Sequence, residues 1–258
     1  MEIQLPLPEP FRSALLSMHR NEPQLGSDGQ LHCMDGRTAI GPEQGLWLYS
    51  LCREMKPEST LEIGLAYGFS TLYFLTAIHE NGTGHHIALD PFQNKLWSGV
   101  GLSHAQSLGM TDSFGFIEEE SASVLVHLAK QGRTFEIIFI DGSHRFDDVL
   151  MDFRLSAPLC STGGCIVLDD MWMPSIRRAV SFIRSNRKDF VELKTGLSNI
   201  AAFRRIGDDA RPWNHYEQFF FETHSLSWLT VAAVRAMTPR ILRRAINRSL
   251  RVALRNRK

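Results

Sequence analysis

Two stretches of the chain end an apolar run on an acid. Ile137-Ile138-Phe139-Ile140 leads into Asp141-Gly142-Ser143-His144, and Ile166-Val167-Leu168 leads into Asp169-Asp170. Such runs read as buried strands with a polar group at the carboxyl end, the edge where open α/β sheets bind ligands. If the two strands are neighbours, Asp141, Asp169 and Asp170 converge. Unpaired, three such carboxylates repel one another and resist ionisation. A hard divalent cation such as Mg²⁺ resolves this, because it takes carboxylate oxygens and keeps positions open for water or substrate. Taken singly, each acid also fits a plainer role: Asp141 as a cap of the next helix, Asp169 and Asp170 as solvated loop acids. His144, alone, equally fits a solvent-facing residue at a helix end.

A second kind of chemistry is written in Glu62-Ile63-Gly64-Leu65-Ala66-Tyr67-Gly68-Phe69-Ser70-Thr71. Glycines let the backbone pass close to a ligand, and the helix that Ser70 and Thr71 open offers free N–H groups to a carboxylate or phosphate. The dinucleotide fingerprint G-x-G-x-x-G needs a third glycine that this turn lacks. That argues against a nucleotide-binding oxidoreductase, the first alternative. Asp90 ends the next apolar run, and an ordinary βα turn followed by an ordinary strand-end acid is the plain reading of both.

These groups need a frame that brings strand ends together. Apolar runs at 60–66, 85–90, 114–118, 135–141 and 163–170 read as strands, and 190–195 with 199–206 as an antiparallel hairpin. Helical patterns lie near 70–80, 93–108, 121–131, 145–159 and 174–187, with Pro174 suited to a first turn. The alternation predicts an α/β fold: a doubly wound, mostly parallel, seven-stranded sheet of Rossmann-like type with the last strand antiparallel. Residues 1–56 read as an N-terminal helical cap, 57–206 as the core, and 207–258 as a linker with a basic tail.

With the elements in place, a resemblance becomes specific. E-x-G-x-x-x-G at Glu62–Gly68 resembles motif I of class I S-adenosylmethionine-dependent methyltransferases. D-G-x-H at Asp141–His144, followed by G-G-x-I-x-x-D-D at Gly163–Asp170, resembles the metal-dependent O-methyltransferases related to catechol O-methyltransferase. It is more similar still to the macrocin and cephalosporin-type natural-product enzymes. The resemblance runs from about Gly41 to Ile206. It implies that Asp141, Asp169 and Asp170 bind Mg²⁺. Glu62, Gly64, Gly68, Ser70 and Asp90 would surround S-adenosylmethionine, with Asp90 on the ribose and Glu120 and Ser121 near the adenine. Catechol enzymes carry a lysine where this chain has His144. The natural-product relatives carry the histidine, as the proposed base, which favours a sugar-like or polyketide hydroxyl as acceptor. A non-catalytic S-adenosylmethionine-binding module is the second alternative, and the intact set of acids argues against it.

The remainder of the sequence bounds the setting. The 258 residues have zero formal net charge, 43% hydrophobic content and room for a sizeable core. From Thr223 onward there are nine Arg/Lys and no acid, leaving 19 basic against 28 acidic residues before it. Residues 239–258 read as an amphipathic basic helix suited to an anionic membrane surface, to the acidic body or a second subunit, or to solvent. Cys33, Cys52, Cys160 and Cys165 form no Cys-x-x-Cys pair, which reads as a reducing compartment. The N-terminal residues lack a signal-peptide pattern, so a cytoplasmic location is expected. The expected partner is a small hydroxylated molecule, with no nucleic acid.

Overall fold

The computed structural model describes residues 3–219, apart from Asp35 and Arg37. The basic segment 239–258 lies outside the described residues. Helix α1 (Phe11–His19), the hairpin of β1 (Gln24–Leu25) and β2 (Leu31–His32), and α2 (Pro42–Met55) come first. The core follows as β3 (Ser59–Ile63), α3 (Phe69–Asn81), β4 (His85–Leu89), α4 (Gln93–Leu96), α5 (Val100–Ser107) and β5 (Phe114–Ile117). It continues as α6 (Ser121–Lys130), β6 (Phe135–Ile140), α7 (Phe146–Ser156), β7 (Cys160–Leu168), α8 (Pro174–Asn186), β8 (Phe190–Leu193) and β9 (Ala201–Arg205).

The main sheet has seven strands in the order β5-β4-β3-β6-β7-β9-β8. All pairs are parallel except those of β9, which runs antiparallel to β7 and β8. This is the expected sheet, antiparallel last strand included. Chain order reverses between β3 and β6, so the switch point lies between the end of β3 and Asp141, where such sheets bind ligands. Side chains alternate across the sheet. Leu61, Ile63, Ile138, Ile140, Ile166 and Leu168 pack in one apolar layer with Leu125, Phe153 and Ile183 of α6, α7 and α8. Ile137, Phe139, Cys165 and Val167 pack in the other, with Phe74 of α3, Leu48 of α2 and Phe11 and Leu15 of α1. The N-terminal helices therefore share the core of the sheet. Each fully buried Leu, Ile or Phe contributes roughly 1.5–3 kcal/mol. That reserve lets the fold tolerate a crowded set of acids at one edge.

Three local features depart from the sequence expectation. The helix expected over 93–108 is two helices, because Ser98 and Gly99 take positive φ (52° and 64°) and break the hydrogen-bond ladder. The β1–β2 hairpin was not foreseen, although Asp28-Gly29 at its turn is a strong hairpin signal and Gly29 sits at φ 75°. Residues 207–219, read as the start of a linker, return to α8. The Glu217 backbone exchanges hydrogen bonds of 2.8 and 2.9 Å with the Asn186 side chain. No described helix is long and apolar enough to cross a membrane.

His104 of α5 is buried, and its Nε2 has no partner among the described residues. Burial pushes its pKa down to about 4. An unfolded histidine takes its proton near 6.5, so the unfolded state binds more protons as pH falls from about 6.5 to about 4, and stability drops across that window. His104→Leu is expected to remove roughly 2 kcal/mol of the stability lost between pH 7 and pH 5. Urea unfolding of both proteins at the two pH values checks this, and equal losses would contradict it.

Candidate active site

The site is built where β3, β4, β6 and β7 end. After β3 the chain turns through Gly64 at φ 98° and Gly68 at φ 85°. A Cβ on Gly64 would lie 2.1 Å from the carbonyl oxygen of Asp141, so glycine is what lets the ends of β3 and β6 approach. Gly64→Ala meets both the left-handed strain and this clash. The expected result is a loss of at least about 3 kcal/mol of stability, read by urea unfolding, together with loss of S-adenosylhomocysteine binding by the folded fraction. Binding equal to the parent's would contradict the placement.

Gly68 is the N-cap residue of α3, and Ser70 and Thr71 lie in its first turn. Their hydroxyls both donate to Glu62 of β3, which is fully buried and also meets His86 Nε2 at 3.0 Å. Glu62 and Ser70 therefore brace the turn from beneath. Asp90, after β4, braces it from the side. Its Oδ2 accepts from the Ala66 N–H and its Oδ1 from the Phe92 N–H, each at 2.8 Å. Burial still leaves the Asp90 carboxyl above its ordinary range, against the pull of these hydrogen bonds. Each carboxylate oxygen keeps a second lone pair for a ligand hydroxyl. Glu120 is the exposed N-cap residue of α6, and Ser121 donates to Asp152 Oδ1 at 2.6 Å. Ser121 thus ties α6 to α7.

Across the switch point, three of the four expected groups meet. Ligand atoms of Asp141, His144 and Asp170 all lie within 4.8 Å of one another. His144 Nε2 is 2.7 Å from Asp170 Oδ2 and 3.9 Å from Asp141 Oδ1. The first is a hydrogen-bonded ion pair; the second is too long for a hydrogen bond and acts through charge. The carboxylates of Asp141 and Asp170 push the His144 imidazole up to about 10. Burial, opposed by His144, pushes Asp141 up to about 6. Burial also acts on Asp170, but hydrogen bonds from His144 and from the Trp172 indole N–H (2.8 Å) outweigh it and hold the carboxyl below its usual range. Asp170 sits at φ 58°, a left-handed position that aspartate tolerates better than most residues.

Asp169 stands behind this trio. It is buried, and its Oδ1 accepts from Gln44 Nε2 at 2.6 Å and from Asn199 Nδ2 at 3.1 Å. Burial first, then the charge of Asp141, pushes its carboxyl up to about 8. Two residues here were missed by sequence reasoning. Gln44 lies in the first turn of α2, where its Oε1 also accepts from the Gly41 N–H at 2.9 Å. Asn199 precedes β9 and accepts the Trp172 N–H at 3.2 Å. Neither carries a motif; the only hint was a polar amide beside an apolar segment. The donor set fits a cation: carboxylate oxygens crowded and buried enough that Asp141 and Asp169 resist ionisation without one.

Comparison with known proteins bears on the sequence and the fold. Residues 61–171 match a family model described as a methyltransferase domain. The chain is 26% identical over 166 residues to flavonoid 3',5'-methyltransferase of Vitis vinifera, covering 61% of this chain and 68% of that one. It is 25% identical over 165 residues to caffeoyl-CoA O-methyltransferase of Petroselinum crispum, covering 60% and 66%. In three dimensions it superposes on the O-methyltransferase TomG of Streptomyces achromogenes, solved with S-adenosylmethionine. There the TM-score is 0.58 at 18% identity, covering 79% of this chain and 93% of that one. An O-methyltransferase of Bacillus cereus, solved with S-adenosylhomocysteine, gives a TM-score of 0.59 at 16% identity over 78% and 93%. With the motifs, the sheet order and these relatives together, the chain is an S-adenosylmethionine-dependent methyltransferase, similar in sequence and fold to O-methyltransferases.

Proposed function

We propose that the protein methylates a hydroxyl oxygen of a small, sugar-like or natural-product acceptor, with a divalent cation of the Mg²⁺ type at the β6–β7 edge. The observation that carries this reading is the gathering of Asp141, Asp170 and His144 beside the glycine turn, with the Asp169 carboxyl behind them within reach of the Asp141 charge. Asp141, Asp169 and Asp170 would hold the cation. Glu62, Gly64, Gly68, Ser70 and Asp90, with Glu120 and Ser121 at the adenine end, would form the cofactor cradle. When bound, the cation makes the acceptor hydroxyl more acidic, and the cofactor supplies an electrophilic methyl sulfonium.

The chain's own residues do the remainder. The N–H groups of the first turn of α3 receive the carboxylate of the cofactor. Asp90 accepts ribose hydroxyls on its free lone pairs. With Asp141 and Asp170 engaged by a cation, their hold on the imidazolium proton would be relieved, and neutral His144 would take the hydroxyl proton at Nε2, the atom that faces Asp170. Gln44, from the N-terminal layer, holds Asp169 in place and walls the site on the acceptor side. Trp172, largely exposed beside Asp170, offers an apolar face to the acceptor. Alignment of oxygen, methyl and sulfur is the main contribution of such a site.

The trio of Asp141, His144 and Asp170 also favours a second reading, in which His144 is itself a ligand. An imidazole would shift metal preference from Mg²⁺ toward Mn²⁺, Fe²⁺ or Zn²⁺. Methyl transfer from labelled S-adenosylmethionine to a panel of hydroxylated sugars and polyketides tests the main reading. Transfer is expected to stop with EDTA and to resume with added Mg²⁺. Transfer indifferent to EDTA would contradict a metal role, and rescue by Zn²⁺ alone would favour the second reading.

A further inference from the structure

His85-His86 opens β4, and as a sequence pair it carries no spacing that marks a ligand site. The two side chains have different environments. His85 is partly exposed, whereas His86 is fully buried between two rings, Phe74 at 4.9 Å and Phe114 at 6.0 Å, each tilted 17° from its plane. A buried imidazole needs partners for both nitrogens. Nδ1 meets Thr60 Oγ1 at 2.7 Å, and Nε2 meets Glu62 Oε2 at 3.0 Å. Parallel pairing of β3 with β4 sets this up: Thr60 lies opposite His86, and Glu62 lies two residues further along the same face.

Glu62 is a fully buried carboxylate, and among the described residues His86 is the one basic side chain paired with it. Its other contacts are the Ser70 and Thr71 hydroxyls, which donate to it. Glu62 is then an acceptor only, so Nε2 of His86 carries the proton and the Thr60 hydroxyl donates to Nδ1. The result is one continuous chain: Thr60, His86, Glu62, then the first turn of α3. That turn presents the N–H groups on which the cofactor reading rests.

We propose that His86 is a positioning residue for the cofactor. It fixes the Glu62 carboxylate, and through it the Ser70–Thr71 turn, in the orientation that receives the carboxylate of S-adenosylmethionine. The inference rests on the cofactor reading above and adds to it a residue that touches no ligand. Losing a hydrogen bond to a buried charge leaves that charge short of a partner, so the turn it anchors loosens.

The test is calorimetric titration of S-adenosylhomocysteine into the full-length parent, His86→Phe, His86→Gln and Thr60→Val. His86→Phe keeps the ring stack and removes the donor; its dissociation constant is expected to rise at least tenfold. His86→Gln keeps an amide N–H near the place of Nε2 and is expected to stay within threefold of the parent. Thr60→Val, which removes only the outer link, is expected to fall between them. Mg²⁺ affinity is expected to be the same in all four, which a general loosening of the fold would not allow. Unchanged cofactor affinity in His86→Phe would overturn the proposal, as would a His86→Gln loss equal to that of His86→Phe or a parallel fall in Mg²⁺ affinity. If His86→Phe does not fold, Thr60→Val decides: an unchanged constant overturns the chain. A parent protein that fails to bind S-adenosylhomocysteine contradicts the cofactor reading itself, a result distinct from all of these.

Discussion

Asp141→Ala is expected to lower methyl transfer by about a thousandfold while leaving the fold intact. Asp141 follows the last residue of β6, and its backbone N–H bonds the Ile63 carbonyl at 2.9 Å. Alanine keeps that bond, so the strand pairing survives. What is lost is one of the crowded carboxylates. Electrostatic assistance from a bound cation is worth several kcal/mol, and each 1.36 kcal/mol is tenfold in rate. The variant should therefore lose both turnover and Mg²⁺ affinity, with circular dichroism and S-adenosylhomocysteine affinity near the parent's. Turnover within tenfold of the parent's would show that the cation, if bound, sits elsewhere.

His144→Ala is expected to lower turnover by a factor between about 10² and 10⁴, the usual contribution of a positioned acid or base. The effect should fall on kcat. Mg²⁺ affinity then separates the two roles of the imidazole. Unchanged affinity supports His144 as the base; a loss of tenfold or more makes it a ligand. In the metal-free protein the substitution has a second consequence. His144 is raised to about 10 by Asp141 and Asp170. A raised histidine contributes stability that is full below its unfolded pKa, near 6.5, and is lost as pH rises toward 10. The parent should therefore lose stability between pH 7 and pH 10 in EDTA, and His144→Ala should lose less. Because the imidazole is half exposed, solvent screening keeps the effect to a fraction of the full linkage value. Urea unfolding at the two pH values reads it, and equal losses would remove His144 from the ion pair.

Positions along single strands were legible in the sequence. Apolar runs ending on Asp90, Asp141 and Asp169-Asp170 located the strand ends, and Gly64 and Gly68 located the turn, because strand burial and backbone sterics leave local marks. Pairing of β6 with β7 followed from the doubly wound order. Contacts between remote segments were not legible. Gln44 reaches Asp169 across 125 positions, and Asn199 reaches it across 30, through packing of the N-terminal layer and the β9 approach onto the site. Nor was it legible that Glu62 and Ser70, both expected at the cofactor, bond to each other beneath the turn. A motif fixes which residues are near a ligand, but only side-chain direction decides which of them face it. Asp169 makes the same point: it lies next to Asp170, yet its Oδ1 is engaged by Gln44 and Asn199.

The measurement that tests the central claim most directly is calorimetric titration of Mg²⁺ into the protein saturated with S-adenosylhomocysteine, for the parent and for Asp141→Ala. The account predicts one cation per chain in the parent and none in the variant. No cation binding by the parent, or equal binding by both proteins, would contradict it.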